Sequence, residues 1–176
     1  MTPAVEIVVV GAGHVGRAVA TAASFLGHRV VVIDDRADFA NDERFPGAEV
    51  ICGDVGESIS TRVVSPSSAV VIVTRGHKYD YEALAAAVRT PAFYVGLMGS
   101  RRKVALIYRQ LAADGVPAQR LRDVHAPIGL DIGAVTPEEI ALSIMAEITA
   151  ARLGGSGAPM KAGDRVIDAA TARARA

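Results

Sequence analysis

"VEIVVVGAGHVGRAVATAASFLGHRVVVID", residues 5–34, decides the fold. Its first six residues are a β-branched run, the mark of a strand buried on both faces. Gly11, Gly13 and Gly16 follow as a G-x-G-x-x-G. Residues 14–27 carry alanine-rich helical spacing that stops at Gly27, and residues 29–34 form a second buried run. In such a unit the first glycine permits a tight turn and the second lets a phosphate approach the backbone. The third lets helix and strand pack closely. Asp34 ends the second strand 18 residues after Gly16, about where an acidic side chain would meet a ribose diol. The context predicts a Rossmann-like nucleotide fold. Two blander readings stay open: glycines kept for packing alone, and Asp34 and Asp35 capping a loop.

Further strands are expected at 48–52, 69–74 and 92–98, with a short sixth within 122–129. Helices are expected at 79–89, 100–115 and 136–155. The last is the best punctuated, with Thr136 as cap, Pro137 at the first helical position and Glu139 closing a capping box. Strands alternating with helices predict an α/β fold: a doubly wound, mainly parallel sheet of about six strands with helices on both faces. Residues 1–153 form the domain, and 154–176, rich in Gly, Ala and Arg, read as a flexible tail whose end could add one turn of structure. Ligands of such sheets sit beyond the carboxyl ends of the strands, where strand order reverses.

Composition narrows the function. The chain of 176 residues is 51% hydrophobic, enough for a substantial core. Nineteen basic residues balance nineteen acidic ones, so no global field draws nucleic acid or a membrane, and anion recognition must be local. Cys52, the only cysteine, excludes an intrachain disulfide and a zinc site built of cysteine pairs. It fits a reducing cytoplasm, and its place after a strand predicts a buried, inert thiol. The first residues show no secretory signal, and their apolar run is too short to span a bilayer.

"YVGLMGSRRK", residues 94–103, is a second glycine turn, and it carries cations. Ser100 can cap the following helix, whose first turn holds Arg101, Arg102 and Lys103 against the sense of the helix dipole. That placement suits a gripped phosphate or carboxylate, since guanidinium forks bind such groups in pairs. A solvated basic helix end is the alternative. "TRGHKYD", residues 74–80, leaves the fourth strand on the same rim, where Thr74, His77 and Asp80 could hydrogen-bond a ligand and His77 could move a proton. "HAPIGLDIGA", residues 125–134, runs into the capped helix, whose N-terminus is a third potential anion site. Asp131 there could equally hold the loop in shape. Glu147 reads as a solvated or paired helical residue. No catalytic set emerges: no Ser/His/Asp arrangement, no H-E-x-x-H, and no histidine–carboxylate cluster with metal spacing.

The combination "VTRGHKYD…ALAAAV…YVGLMGSRRK…VHAPIGLDIGAVTPEEIALSIMAEI" resembles the C-terminal Rossmann domain of the XdhC/CoxI family over roughly residues 5–153. These are accessory proteins that mature molybdenum hydroxylases such as xanthine and carbon monoxide dehydrogenases. The resemblance implies a cytoplasmic, non-catalytic chaperone that binds molybdenum cofactor as molybdopterin or its dinucleotide. It would present the cofactor to a cysteine desulfurase for sulfuration and deliver it to the hydroxylase apo-enzyme. The implied cofactor-binding set is Gly11, Gly13, His14, Val15, Gly16, Asp34 and Arg36 on the first turn and strand end, with Thr74 and His77 on the fourth-strand loop. Gly99, Ser100, Arg101, Arg102 and Lys103 follow on the second turn, with Gly129 and Asp131 on the late loop. Two departures stand out. Many members have Thr-His where this chain has Thr74-Arg75, and full-length members carry an additional N-terminal domain, whereas this chain starts directly at the first strand. An NAD(P)-dependent oxidoreductase and a nucleotide-sensing module acting as a homodimer are the alternatives.

Overall fold

A computed structural model describes residues 4–173. Five strands make one sheet: β1 (Glu6–Val10), β2 (Arg29–Asp34), β3 (Glu49–Cys52), β4 (Ser68–Ile72) and β5 (Tyr94–Leu97). All pairs are parallel and the order is β3-β2-β1-β4-β5. The chain therefore winds outward from β1 to β3, then crosses back to lay β4 beside β1. The sixth expected strand is reduced to one parallel bridge between His125 and Gly96, beyond β5.

Alternation within the strands feeds two cores. Val8 and Val10 face one side with Val31, Ile33, Val70 and Ile72. Against them pack α2 (Val55–Thr61), α3 (His77–Ala87) and α4 (Arg101–Ala113), through residues such as Ile59, Leu84 and Ile107. Ile7, Val9, Val30, Val32 and Val71 face the other side, covered by α1 (His14–Phe25) and α6 (Pro137–Leu153) through Val19, Ala23, Ile144 and Ile148. Each fully buried branched side chain contributes about 1.5–3 kcal/mol. The central strands carry the fold.

Two short helices complete the domain, α2 and α5 (Ala118–Arg122), and neither is signalled by periodicity. The start of α2 is nonetheless marked chemically, since Asp54 accepts the Glu57 N–H at 2.8 Å. In α6 the expected capping box is present, and Gly154 ends the helix in the left-handed region at φ 74°. Beyond it, α7 (Asp164–Arg173) exposes Val166 and Ile167. The expectation of a buried thiol is corrected: Cys52 is exposed, because β3 is the sheet's edge strand.

Candidate functional site at the strand reversal

Parallel strands bring every carboxyl end to one rim, and the order reverses between β1 and β4. At that point α1 starts from Gly13 and α3 from Gly76, both extended in conformation and neither supported by a side-chain cap. The first N–H groups of each helix thus have no intrahelical partner. A Cβ added at Gly13 or Gly76 would meet nothing within 4 Å, so the space above both turns is open. Exposed His14 and His77 are the first helical residues. The other two glycines of the turn are closed in. Gly11 sits at φ +112°, where a Cβ would lie 2.6 Å from the Val73 carbonyl oxygen, and a Cβ on Gly16 would collide with the Gly11 carbonyl. Val15, half-buried, packs against the α1/α6 core.

The starts of α2, α4 and α6 are spent on side-chain caps. Ser100 Oγ accepts the Lys103 N–H at 3.3 Å. At α6 the Glu139 carboxylate takes the Val135 and Thr136 N–H groups at 2.8 and 2.9 Å, so the expected third anion site is already filled by an anion. The five-residue α5 also lacks a side-chain cap, but the β1/β4 crevice is where two uncapped helices start from glycines with open space above them.

Asp34 is 3% exposed at the end of β2, and it is fully engaged. Its Oδ2 accepts the Ala12 N–H at 2.8 Å and Arg36 Nη2 at 2.9 Å. Oδ1 takes the Arg36 N–H at 3.0 Å and Nε at 2.9 Å. Burial alone would raise its pKa; the Arg36 and Ala12 bonds outweigh it and hold the carboxyl below its ordinary range. Asp34 therefore ties strand, turn and arginine together. Beside it, Arg75 forks onto Asp35 at 2.7 and 3.1 Å and lies over the Tyr79 ring, and this pairing drives Asp35 down to about 2.

The basic stretch after β5 divides. Lys103 turns inward and pairs with Asp80, completely buried on α3, which also accepts Thr74 Oγ1 at 2.5 Å. Thr74, His77 and Lys103 thus share the β4 end of the rim, but Thr74 and Lys103 are committed to Asp80. Arg101 faces a cavity of about 440 Å3 with Gly129, Asp131 and Ser143. Arg102 is exposed. Gly99 backs onto the Lys103 side chain, where an added Cβ would come within 3.1 Å.

One cluster escaped the sequence reading, which left Glu147 as a solvated or paired helical residue. Glu147 Oε2 accepts Tyr94 Oη at 2.5 Å and the Gly129 N–H at 2.9 Å, while Oε1 lies 3.3 Å from His125 Nδ1. The His125 and Tyr94 rings stack at 4.4 Å. Burial would raise Glu147, but the bonds from His125, Tyr94 and Gly129 prevail and lower it. Tyr94 is pushed up by burial and by the carboxylate. This set clamps the late loop to α6 and β5, fixing Gly129, whose φ of +98° only glycine adopts without strain.

Among the described residues no group of three or more His, Cys, Asp or Glu could hold a metal ion, and no helix is long and apolar enough to cross a membrane.

Known proteins resemble this chain in sequence and fold. The profile of the XdhC Rossmann domain matches residues 7–148. The uncharacterized protein YqeB of Escherichia coli K12 is 38% identical over 157 residues, which span 88% of this chain and 29% of YqeB. A probable xanthine dehydrogenase component from Bacillus subtilis 168 is 30% identical over 151 residues, 85% of this chain and 44% of that protein. A crystal structure of a xanthine dehydrogenase from Bacillus halodurans aligns with a TM-score of 0.75 at 28% identity, covering 87% of this chain and 46% of that one. The chain spans less than half the length of each of these relatives.

Proposed function

The chain belongs to the XdhC Rossmann-domain family, and on that premise we propose that it acts in the maturation of a molybdenum hydroxylase by holding molybdenum cofactor, as molybdopterin or its dinucleotide. The observation that carries this reading is the pair of uncapped, glycine-started helices at the β1/β4 reversal. A terminal phosphate or pyrophosphate fits there. Backbone donors of α1 would receive one phosphate over Gly13, and the start of α3 would receive a second charged oxygen over Gly76. Arg101 and Arg102 stand further along the same rim, past β4, where a larger ligand would end. The late loop, clamped by Glu147, closes that side. The cofactor would supply the metal centre on which the hydroxylase does its chemistry; this chain's residues bind, orient and shield.

A hydroxylase apo-enzyme is the receiving partner in this reading, a cysteine desulfurase is the sulfur source, and the cytoplasm is the setting. The relatives named for xanthine dehydrogenase support the hydroxylase connection. The NAD alternative is weakened by one observation: the carboxylate that would take the ribose diol already accepts four donors.

Freshly purified protein, denatured and analysed by mass spectrometry, should release a phosphorylated pterin. Protein that neither carries such a pterin nor binds added molybdopterin would end this reading.

A further inference from the structure

The end of β2 is built for a charge that a ribose diol does not have. Arg36 is held in place on two sides: its Nε and Nη2 fork onto Asp34 at 2.9 Å each, and its guanidinium carbon lies 3.7 Å from the Phe39 ring centre. Its Nη1 hydrogens make no bond to any described residue, and the side chain is 29% exposed. Arg44 comes over the same ring at 5.0 Å and donates Nη2 to the Ala12 carbonyl at 3.2 Å, directly on the first glycine turn. Its Nε is buried without a hydrogen-bond partner. Arg36 and Arg75 answer the two carboxylates of Asp34 and Asp35, whereas Arg44 makes no ion pair among the described residues, so its charge stays available on the turn.

These features have one chemical meaning in common. A diol needs an acceptor with free lone pairs, and Asp34 has spent both oxygens on Ala12 and Arg36. A phosphate monoester needs unspent, fixed N–H donors and surplus positive charge, and Arg36 and Arg44 provide both. Stacking on Phe39 holds the forks in place before any ligand arrives, which lowers the ordering cost of binding.

We propose that Arg36 and Arg44, stacked on Phe39 beside the Gly11–Gly16 turn, form a phosphomonoester site, so that the ligand end lying over β2 carries a terminal phosphate. This rests on the reading that the crevice holds a phosphorylated ligand, and it adds which end of that ligand is recognised and by what. The phosphate has two potential sources: the terminal phosphate of molybdopterin, or the 2′-phosphate of an adenine nucleotide.

Two matched pairs of probes decide between them. Calorimetric titration of the intact protein would compare adenosine 2′,5′-bisphosphate with adenosine 5′-monophosphate. An anaerobic fluorescence titration would compare molybdopterin with the same pterin after phosphatase treatment. The phosphorylated member of at least one pair should bind about tenfold tighter or more, as expected for a charge-assisted fork. Arg44→Ala, which leaves the Asp34 bonds intact, should erase most of that preference, and Arg36→Lys should reduce it while keeping the charge beside Asp34. Preference in the nucleotide pair alone assigns a nucleotide, and preference in the pterin pair assigns the pterin. Equal affinity within both pairs, or a preference untouched by both substitutions, overturns the site. Pterin binding that ignores the phosphate, with no preference in the nucleotide pair either, would overturn this inference yet leave the carrier reading standing. Failure of molybdopterin to bind in either form, with the nucleotide preference intact, would do the reverse.

Discussion

Lys103 reaches from the first turn of α4 to the carboxylate of Asp80, which is completely buried on α3. A cation that opposes its own helix dipole is thereby explained by a neighbour rather than by a ligand. Lys103→Met would leave a buried charge uncompensated, and we expect a loss of about 3–5 kcal/mol in urea unfolding. Adding Asp80→Asn should recover much of it. A double variant as unstable as the sum of the singles would show that the pair is not coupled.

Arg101 and Arg102 differ from Lys103 in lying toward solvent. Alanine at either should leave stability within about 0.5 kcal/mol. In the proposed carrier each should weaken molybdopterin binding by about 1.5–3 kcal/mol per lost charged hydrogen bond. Unchanged affinity in calorimetry would return both residues to the solvated surface.

The first glycine turn separates packing from binding. Gly13→Ala should cost at most about 1 kcal/mol, the usual penalty at a helix start, because its Cβ enters open space. Gly13→Val should fold and yet block a phosphate. Gly16→Ala drives a methyl into the Gly11 carbonyl, and about 1–3 kcal/mol or more should be lost. Thermal melts with paired binding curves would check the contrast; equal melting losses at both positions would refute it.

Glu147 gives a pH signature. Its carboxyl lies below its ordinary range when folded, so it stabilises the fold above the unfolded value of about 4.3 and stops doing so as pH falls through the folded value. Glu147→Gln should cost about 1.5–3 kcal/mol at pH 7, the worth of one charged hydrogen bond. The gap from the parent should narrow as the pH drops below about 4. Urea midpoints at pH 7 and 3.5 measure it, and a constant gap would place the missing energy elsewhere.

Much of the fold is legible from local sequence. Residues 5–34 spell out β1, the turn, α1 and β2, because strand period, glycine spacing and helix period all agree there. Thr136, Pro137 and Glu139 announce α6 for the same reason. What stays hidden depends on chain crossing. Tyr94 and Glu147 are 53 positions apart and meet only because α6 packs across β5. Asp34 is correctly placed at a strand end by spacing, but its role turns on where the Arg36 side chain folds, which spacing does not encode. Cys52 follows a plausible strand, yet whether a strand is central or peripheral is a property of sheet order.

That peripheral position has a practical side. Cys52 pairs in register with Asp34, and the next backbone N–H, that of Gly53, donates to the Asp34 carbonyl at 3.0 Å. The chain's sole thiol therefore stands exposed on the neighbouring strand, whose backbone runs roughly 4.8 Å from that of the arginine-bound Asp34. A single maleimide dye attached there would report occupancy of the β2 end by a change in emission, with no engineered cysteine and no second labelling site to confound the signal.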